Sequence, residues 1–171
     1  MEDIRVRRLL DTDTAPITVK PGMMLSEEML DAQSEQLAQH LRNNGFYGFS
    51  KNYLFHYADT TTVPDSVLLR VELKNRTRNE PENVYTPHRQ YTIRDIRTDY
   101  PPRLRLRDDF LQGINPLHQG EIYSEEAVGT AYRKFTSLRL FNTVNINMTP
   151  ADSTEVDCRI SLTPSRLQSY T

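Results

Sequence analysis

Along this chain apolar and polar positions follow two alternating rhythms, and the pair of rhythms occurs twice. Leu30, Leu37 and Leu41, joined by Ser34 and Ala38, keep the four- and seven-residue spacing of a buried helical stripe. Ser26 is placed to cap that helix, Glu27 and Glu28 suit the positive end of its dipole, and Asn44-Gly45 supplies a left-handed stop, which predicts a helix over about 27–44. Phe49, Tyr53, Phe55 and Tyr57 then alternate with Ser50, Asn52, Leu54 and His56, a half-buried strand with Lys51 as the odd member of the apolar face. After the polar turn at 59–65, Val67, Leu69, Val71 and Leu73 alternate again.

The second copy repeats this order. Leu25-Ser26-Glu27-Glu28 recurs as Tyr123-Ser124-Glu125-Glu126, and the 67–73 strand recurs at 156–162. A helix is predicted from Glu125 to Ser137, with Val128, Ala131, Tyr132 and Phe135 on one face and Leu138 continuing it. A hairpin follows, pairing Val144, Ile146 and Met148 with Val156, Cys158, Ile160 and Leu162 across Pro150-Ala151-Asp152-Ser153. Each copy is preceded by a candidate strand: Ile4 to Leu9, or alternatively Ile17-Thr18-Val19, in the first, and Tyr91 to Ile96 in the second. A short helix is expected near Arg107–Gly113. The polar, proline-bearing stretch between the copies reads as a linker. The predicted organisation is a domain over 1–76, a linker over 77–89 and a domain over 90–171. Each domain is expected to be a three-stranded mixed sheet covered by helices on one face, an α+β class.

Composition narrows the function. Of 171 residues 37% are hydrophobic and 26% charged, which suits two modest cores better than one large one. The net charge is −2 and the pI about 6.1, so no basic field favours nucleic acid. The single cysteine, Cys158, alternates with apolar residues and excludes an intrachain disulfide. His40, His56, His88 and His118 show no metal-ligand spacing, and Glu27-Glu28 and Glu125-Glu126 are explained as first-turn acids. The tyrosines and phenylalanines of the strands read as core aromatics, not as a base-stacking platform. Arg103, Arg105 and Arg107 would form a local basic stripe on a strand. Without a phosphate-binding glycine loop or nucleophile elbow, no catalytic residue, cofactor or metal is assigned. No apolar stretch is long enough to span a bilayer as a helix, and no apolar signal-peptide core opens the chain, so the protein is expected to be either cytosolic or an excised piece of a longer one.

The order strand, helix, helix, strand, strand resembles that of polypeptide-transport-associated (POTRA) domains of the BamA and TamA family of outer-membrane assembly factors. LRNNGFYGFSKNYLFHYADTT, from Leu41 to Thr61, is similar to the pattern in which a helix ends at Gly-Phe or Gly-Tyr and runs into the second strand. QGEIYSEEAVGTAYRKFTSLRLFNTVNINM, from Gln119 to Met148, resembles the family's Gly-Glu-x-Tyr-Ser opening of the second helix, although Leu140-Phe141 stands where Gly-Phe is usual. The ending VDCRISLTPSRLQSYT looks like the last strand before the barrel in the Bacteroidetes versions.

The resemblance implies a non-enzymatic scaffold on the periplasmic side of the bacterial outer membrane. It would bind unfolded outer-membrane polypeptides or periplasmic lipoproteins and pass clients to a C-terminal β-barrel. The expected mode is strand addition through backbone groups, at Lys51, Asn52, Tyr53, Leu54, Phe55, His56 and Tyr57 in the first copy and at Thr143, Val144, Asn145, Ile146, Asn147 and Met148 in the second. The alternatives are a partner-binding segment of another secretion or division system and, further off, a small α+β hydrolase or carbohydrate-binding pair. Nothing in the sequence bears on oligomeric state.

Overall fold

The computed structural model describes residues 3–62, 64–74, 87–102 and 106–164. Its contacts divide the chain into two compact units, one of residues 1–42 and 48–89, the other of residues 43–47 and 90–171. The class is α+β, as expected from the two rhythms.

The first unit opens with helix α1 (Ile4–Thr12), where a strand was expected. The reason is local. The Asp3 carboxylate accepts from the backbone N–H groups of Arg5 and Val6, a cap that starts a helix, and Val6, Leu9 and Leu10 share a face at three- and four-residue spacing. Val6 is buried. The alternative strand at 17–19 does not form either. The Gln33 side chain takes that segment's hydrogen bonds, its Oε1 accepting from the N–H groups of Thr18 and Val19 and its Nε2 donating to the Pro16 carbonyl.

Helix α2 (Glu27–Asn43) buries Leu37, Ala38 and Leu41, with Ser26 accepting from Met29 N–H. A single 3₁₀ turn, Lys51–Tyr53, precedes strand β1 (Leu54–Asp59), which pairs antiparallel with β2 (Leu68–Leu73). Among the described residues this sheet has two strands, not the three expected.

Buried polar groups complete the unit. His88 donates its N–H to Asp3 and its ring Nε2–H to the Lys74 carbonyl, 3.0 Å away, and its ring lies 4.9 Å from those of Phe49 and Tyr53. Most of the expected linker, and the basic positions Arg103 and Arg105, lie outside the described residues; Arg107 stands at the start of helix α3 (Asp108–Ile114) without a side-chain cap bond.

The second unit keeps the predicted order throughout: β3 (Thr92–Asp99), α3, α4 (Glu125–Ser137), β4 (Phe141–Pro150) and β5 (Glu155–Pro164). The sheet order is β3-β5-β4, with β3 parallel and β4 antiparallel to β5. On the inner face Val156, Cys158, Ile160 and Leu162 are almost fully buried against Leu111, Ala131 and Phe135. Burial pushes the Cys158 thiol up to about 11, as for an inert core thiol. Tyr132 was expected on the buried face but is exposed. On the outer face Arg94 pairs with Asp157, Arg159 with Asp99 and Arg97 with Asp95. These pairs are solvent-exposed and contribute little to stability.

Candidate strand-pairing edges

The two hairpins present the same backbone geometry. In an antiparallel pair, residues alternate between those bonded to the partner and those whose N–H and C=O point away from it. Lys74 donates to the Tyr53 carbonyl, so the pairs Glu72 with Phe55 and Arg70 with Tyr57 are the bonded ones. Leu54, His56 and Ala58 of β1 therefore turn their backbone groups toward its free edge, and Leu69, Val71 and Leu73 of β2 toward the opposite edge. In the second unit Ala151 donates to Glu155, which fixes the same alternation. Val144, Ile146 and Met148 face the free edge of β4, while Cys158, Ile160 and Leu162 face β3.

The pairing register also decides the side-chain faces, and it reverses one expectation. Leu54, His56 and Ala58 share the face of Leu69, Val71 and Leu73, whereas Phe55 and Tyr57 stand on the opposite face and are each 40% exposed. Phe55 and Tyr57 are covered by cations, not by a helix: Lys74 Nζ lies 4.0 Å from the Phe55 ring centre and the Arg70 guanidinium 5.3 Å from that of Tyr57. Lys51, Asn52 and Tyr53 lie in the 3₁₀ turn and not in the strand. Ser50 caps that turn by accepting from Asn52 N–H, and Lys51 is drawn to Asp31 at 2.7 Å. At the other end of β1 the Thr62 hydroxyl, with the N–H and hydroxyl of Thr61, holds the Asp59 carboxyl well below the usual carboxylate range and ties the turn.

His56 is the odd member of the inner face, occupying the place that Ile146 holds in the second hairpin. Its Nε2 is buried and, among the described residues, without a hydrogen-bond partner; burial lowers its pKa from 6.5. The unfolded chain takes up the proton at the ordinary value, before the folded one does. Stability from this residue is thus present above pH 6.5 and lost as pH falls below it. His56→Ile should flatten that loss, seen as a smaller drop in the first unit's melting temperature between pH 8 and pH 5.

Tyr47, which no periodicity in the sequence marks, closes one end of the β4 edge. Its hydroxyl donates to the Met148 carbonyl at 2.9 Å, while its ring stands edge-on to Tyr91 and Tyr123. The accessible edge is thereby concentrated on Val144 and Ile146. Tyr47→Phe is expected to cost the second unit about 1 kcal/mol in chemical unfolding and to free the Met148 carbonyl.

Two helices with a mixed three-stranded sheet in the second unit, and two helices with an antiparallel hairpin in the first, give the fold of tandem POTRA domains. The chain is similar to the crystal structure of BamA from Haemophilus ducreyi lacking POTRA domains 1–3, with a TM-score of 0.65 and 18% identity, over 92% of this chain and 27% of that one. It is also similar to POTRA domains 3–5 of Haemophilus influenzae BamA, with a TM-score of 0.51 and 13% identity, over 94% of this chain and 55% of that one. It thus spans about a quarter of the first structure, by the 27% coverage. No protein-family model and no curated sequence matches it. Among the described residues no helix is long and apolar enough to cross a membrane, and no cluster of three His, Cys, Asp or Glu could hold a metal ion.

Proposed function

We propose that this chain is a non-catalytic scaffold on the periplasmic side of the bacterial outer membrane. It receives extended client polypeptides or periplasmic lipoproteins by strand addition and passes clients to a β-barrel in the full-length protein. The observation that carries this reading is the likeness to the BamA structure over 92% of the chain, together with edges of β1 and β4 along which no other strand lies among the described residues. Such an edge recognises a peptide through main-chain hydrogen bonds, so it tolerates many sequences, as a general assembly factor must.

The test is Ile146→Pro. Residue 146 turns its N–H to the free edge, so proline there removes a donor that β5 does not use, and proline is tolerated at edge positions of this kind. A peptide of ten alternating apolar and polar residues should shift the Val144 amide resonance in the parent protein. The variant should bind it roughly tenfold more weakly at β4, the equivalent of about 1.4 kcal/mol, than Ile146→Ala, which loses the same packing against the core but keeps the N–H. Undiminished binding at β4 would remove the edge from the account.

A further inference from the structure

The cations of the second unit fall into two groups. On the outer face of its sheet Arg94, Arg97 and Arg159 each pair with an aspartate. Around the C-terminal end of α4 no such neutralisation is encoded: from Ala127 to Ala151 the sequence carries Arg133, Lys134 and Arg139 and no carboxylate. Arg133 donates to the Thr130 hydroxyl at 2.8 Å, and among the described residues none of the three cations has an acidic partner. Capping does not occupy them either. The Lys134 carbonyl accepts from the Ser137 hydroxyl and the Thr136 carbonyl from the Arg139 N–H, so the charged heads are not spent on the helix end.

Apolar groups are interleaved with these charges. Tyr132 is 49% and Leu140 41% exposed, and Tyr132 and Arg133 share one side of the helix with Thr136, at four- and three-residue spacing. The backbone singles out Arg139. It lies two residues beyond the last residue of α4, with φ of +55°, where Gly45 stands two residues beyond α2 with φ of +96°. A left-handed backbone is disfavoured for any residue with a side chain, so the fold holds a guanidinium at a position that glycine would fill without strain.

We propose that Tyr132, Arg133, Lys134, Arg139 and Leu140 form a contact surface for anionic phospholipid head groups. In the reading given above, on which this rests, a β-barrel follows β5. Phe141 pairs with Pro164, so α4 ends at the same end of the unit as β5, the end that faces the bilayer in that reading. The three cations meet lipid phosphate, while the tyrosine ring and the leucine reach the boundary with the acyl chains. The overall charge of −2 would repel such a surface, and the attraction is confined to this end.

The test uses the whole 171-residue protein at low salt. It is mixed with vesicles of phosphatidylglycerol and phosphatidylcholine in equal parts, a few lipids carrying a nitroxide on the head group, or with labelled vesicles of phosphatidylcholine alone. Amide resonances from Tyr132 to Leu140 should be attenuated on the anionic vesicles ahead of those of β3 and α2, hardly at all on the neutral ones, and less as salt is raised. The triple variant Arg133→Gln, Lys134→Gln, Arg139→Gly should bind roughly tenfold more weakly or worse, since each cation near an anionic surface adds roughly a factor of five. Arg139→Gly alone should bind several-fold more weakly yet melt no lower than the parent, because glycine relieves the left-handed backbone, so a loss of folding cannot imitate the result. Equal attenuation on neutral vesicles, attenuation centred on the sheet, or variants that bind like the parent would overturn the surface. An oligoglutamate peptide that shifts these amides while the vesicles leave them unchanged would overturn the lipid in favour of an acidic protein. None of these outcomes touches strand addition, which is read from a peptide at the Val144 amide.

Discussion

Phe135→Ala is expected to cost the second unit about 3–5 kcal/mol, the range for truncating a fully buried phenylalanine. Phe135 is 0% exposed and packs in the cluster that includes Ala131, Val156, Cys158, Ile160 and Leu162. Alanine there leaves a void bounded by a three-stranded sheet whose hydrogen bonds resist collapse, so little of the loss is recovered by relaxation. A typical domain has only about 5–15 kcal/mol in all. The readout is hydrogen exchange of the β5 amides from Val156 to Leu162, which should approach the rate of an unprotected chain well before the amides of α2 do. Equal acceleration in both units, or none in β5, would contradict the separate core described for the second unit.

Gly45→Ala follows as the second largest effect, and its cause is backbone. Gly45 has φ of +96°, a region that side chains rarely adopt, and its carbonyl accepts from both Tyr47 N–H at 2.9 Å and Tyr91 N–H at 2.8 Å. Two such bonds leave the residue no freedom to relax, so the strain of roughly 1–3 kcal/mol is retained in the fold. An added Cβ would also stand 2.7 Å from Ile122 Cγ2, which must swing aside. Gly48→Ala serves as the comparison, because Gly48 has φ of +72° and nothing within 4 Å of its added Cβ. Chemical unfolding should show the larger loss at Gly45; equal losses would mean that Ile122 yields freely.

The second unit was legible in the sequence because each of its signals was local and redundant. Helix α4 has the predicted bounds, since Ser124 accepts from Ala127 N–H and Glu125 and Glu126 occupy the first turn. The hairpin pairs Val144 with Leu162, Ile146 with Ile160 and Met148 with Cys158, as the alternation required. In the first unit the signals conflicted. Ile4-Arg5-Val6 alternates like a strand, yet Asp3 ahead of it was a usable cap signal, and the cap prevailed. The aromatic alternation beginning at Phe49 carried no mark of the 3₁₀ turn at 51–53, which shortens the strand and leaves the β1 faces to be decided by pairing with β2. Tyr47 could not have been found by periodicity. Its partner Met148 is 101 residues away, and a side-chain bond to a backbone carbonyl leaves no pattern in the sequence.

The five residues that close α2 carry a further consequence. Asn43 Oδ1 accepts from Glu126 N–H, Gln90 Nε2 donates to the Asn44 carbonyl, Gly45 binds Tyr91, and Tyr47 packs on two tyrosines and binds Met148. A unit assembled from two separate stretches of sequence cannot be inherited, cloned or shuffled as one block of gene. A polypeptide starting at residue 90 would contain every strand and helix that looks necessary and still lack a hydroxyl on its edge, the second of two caps on its longer helix and an anchor for its first strand. Modularity in this fold is a property of contacts, and the reading frame does not follow it.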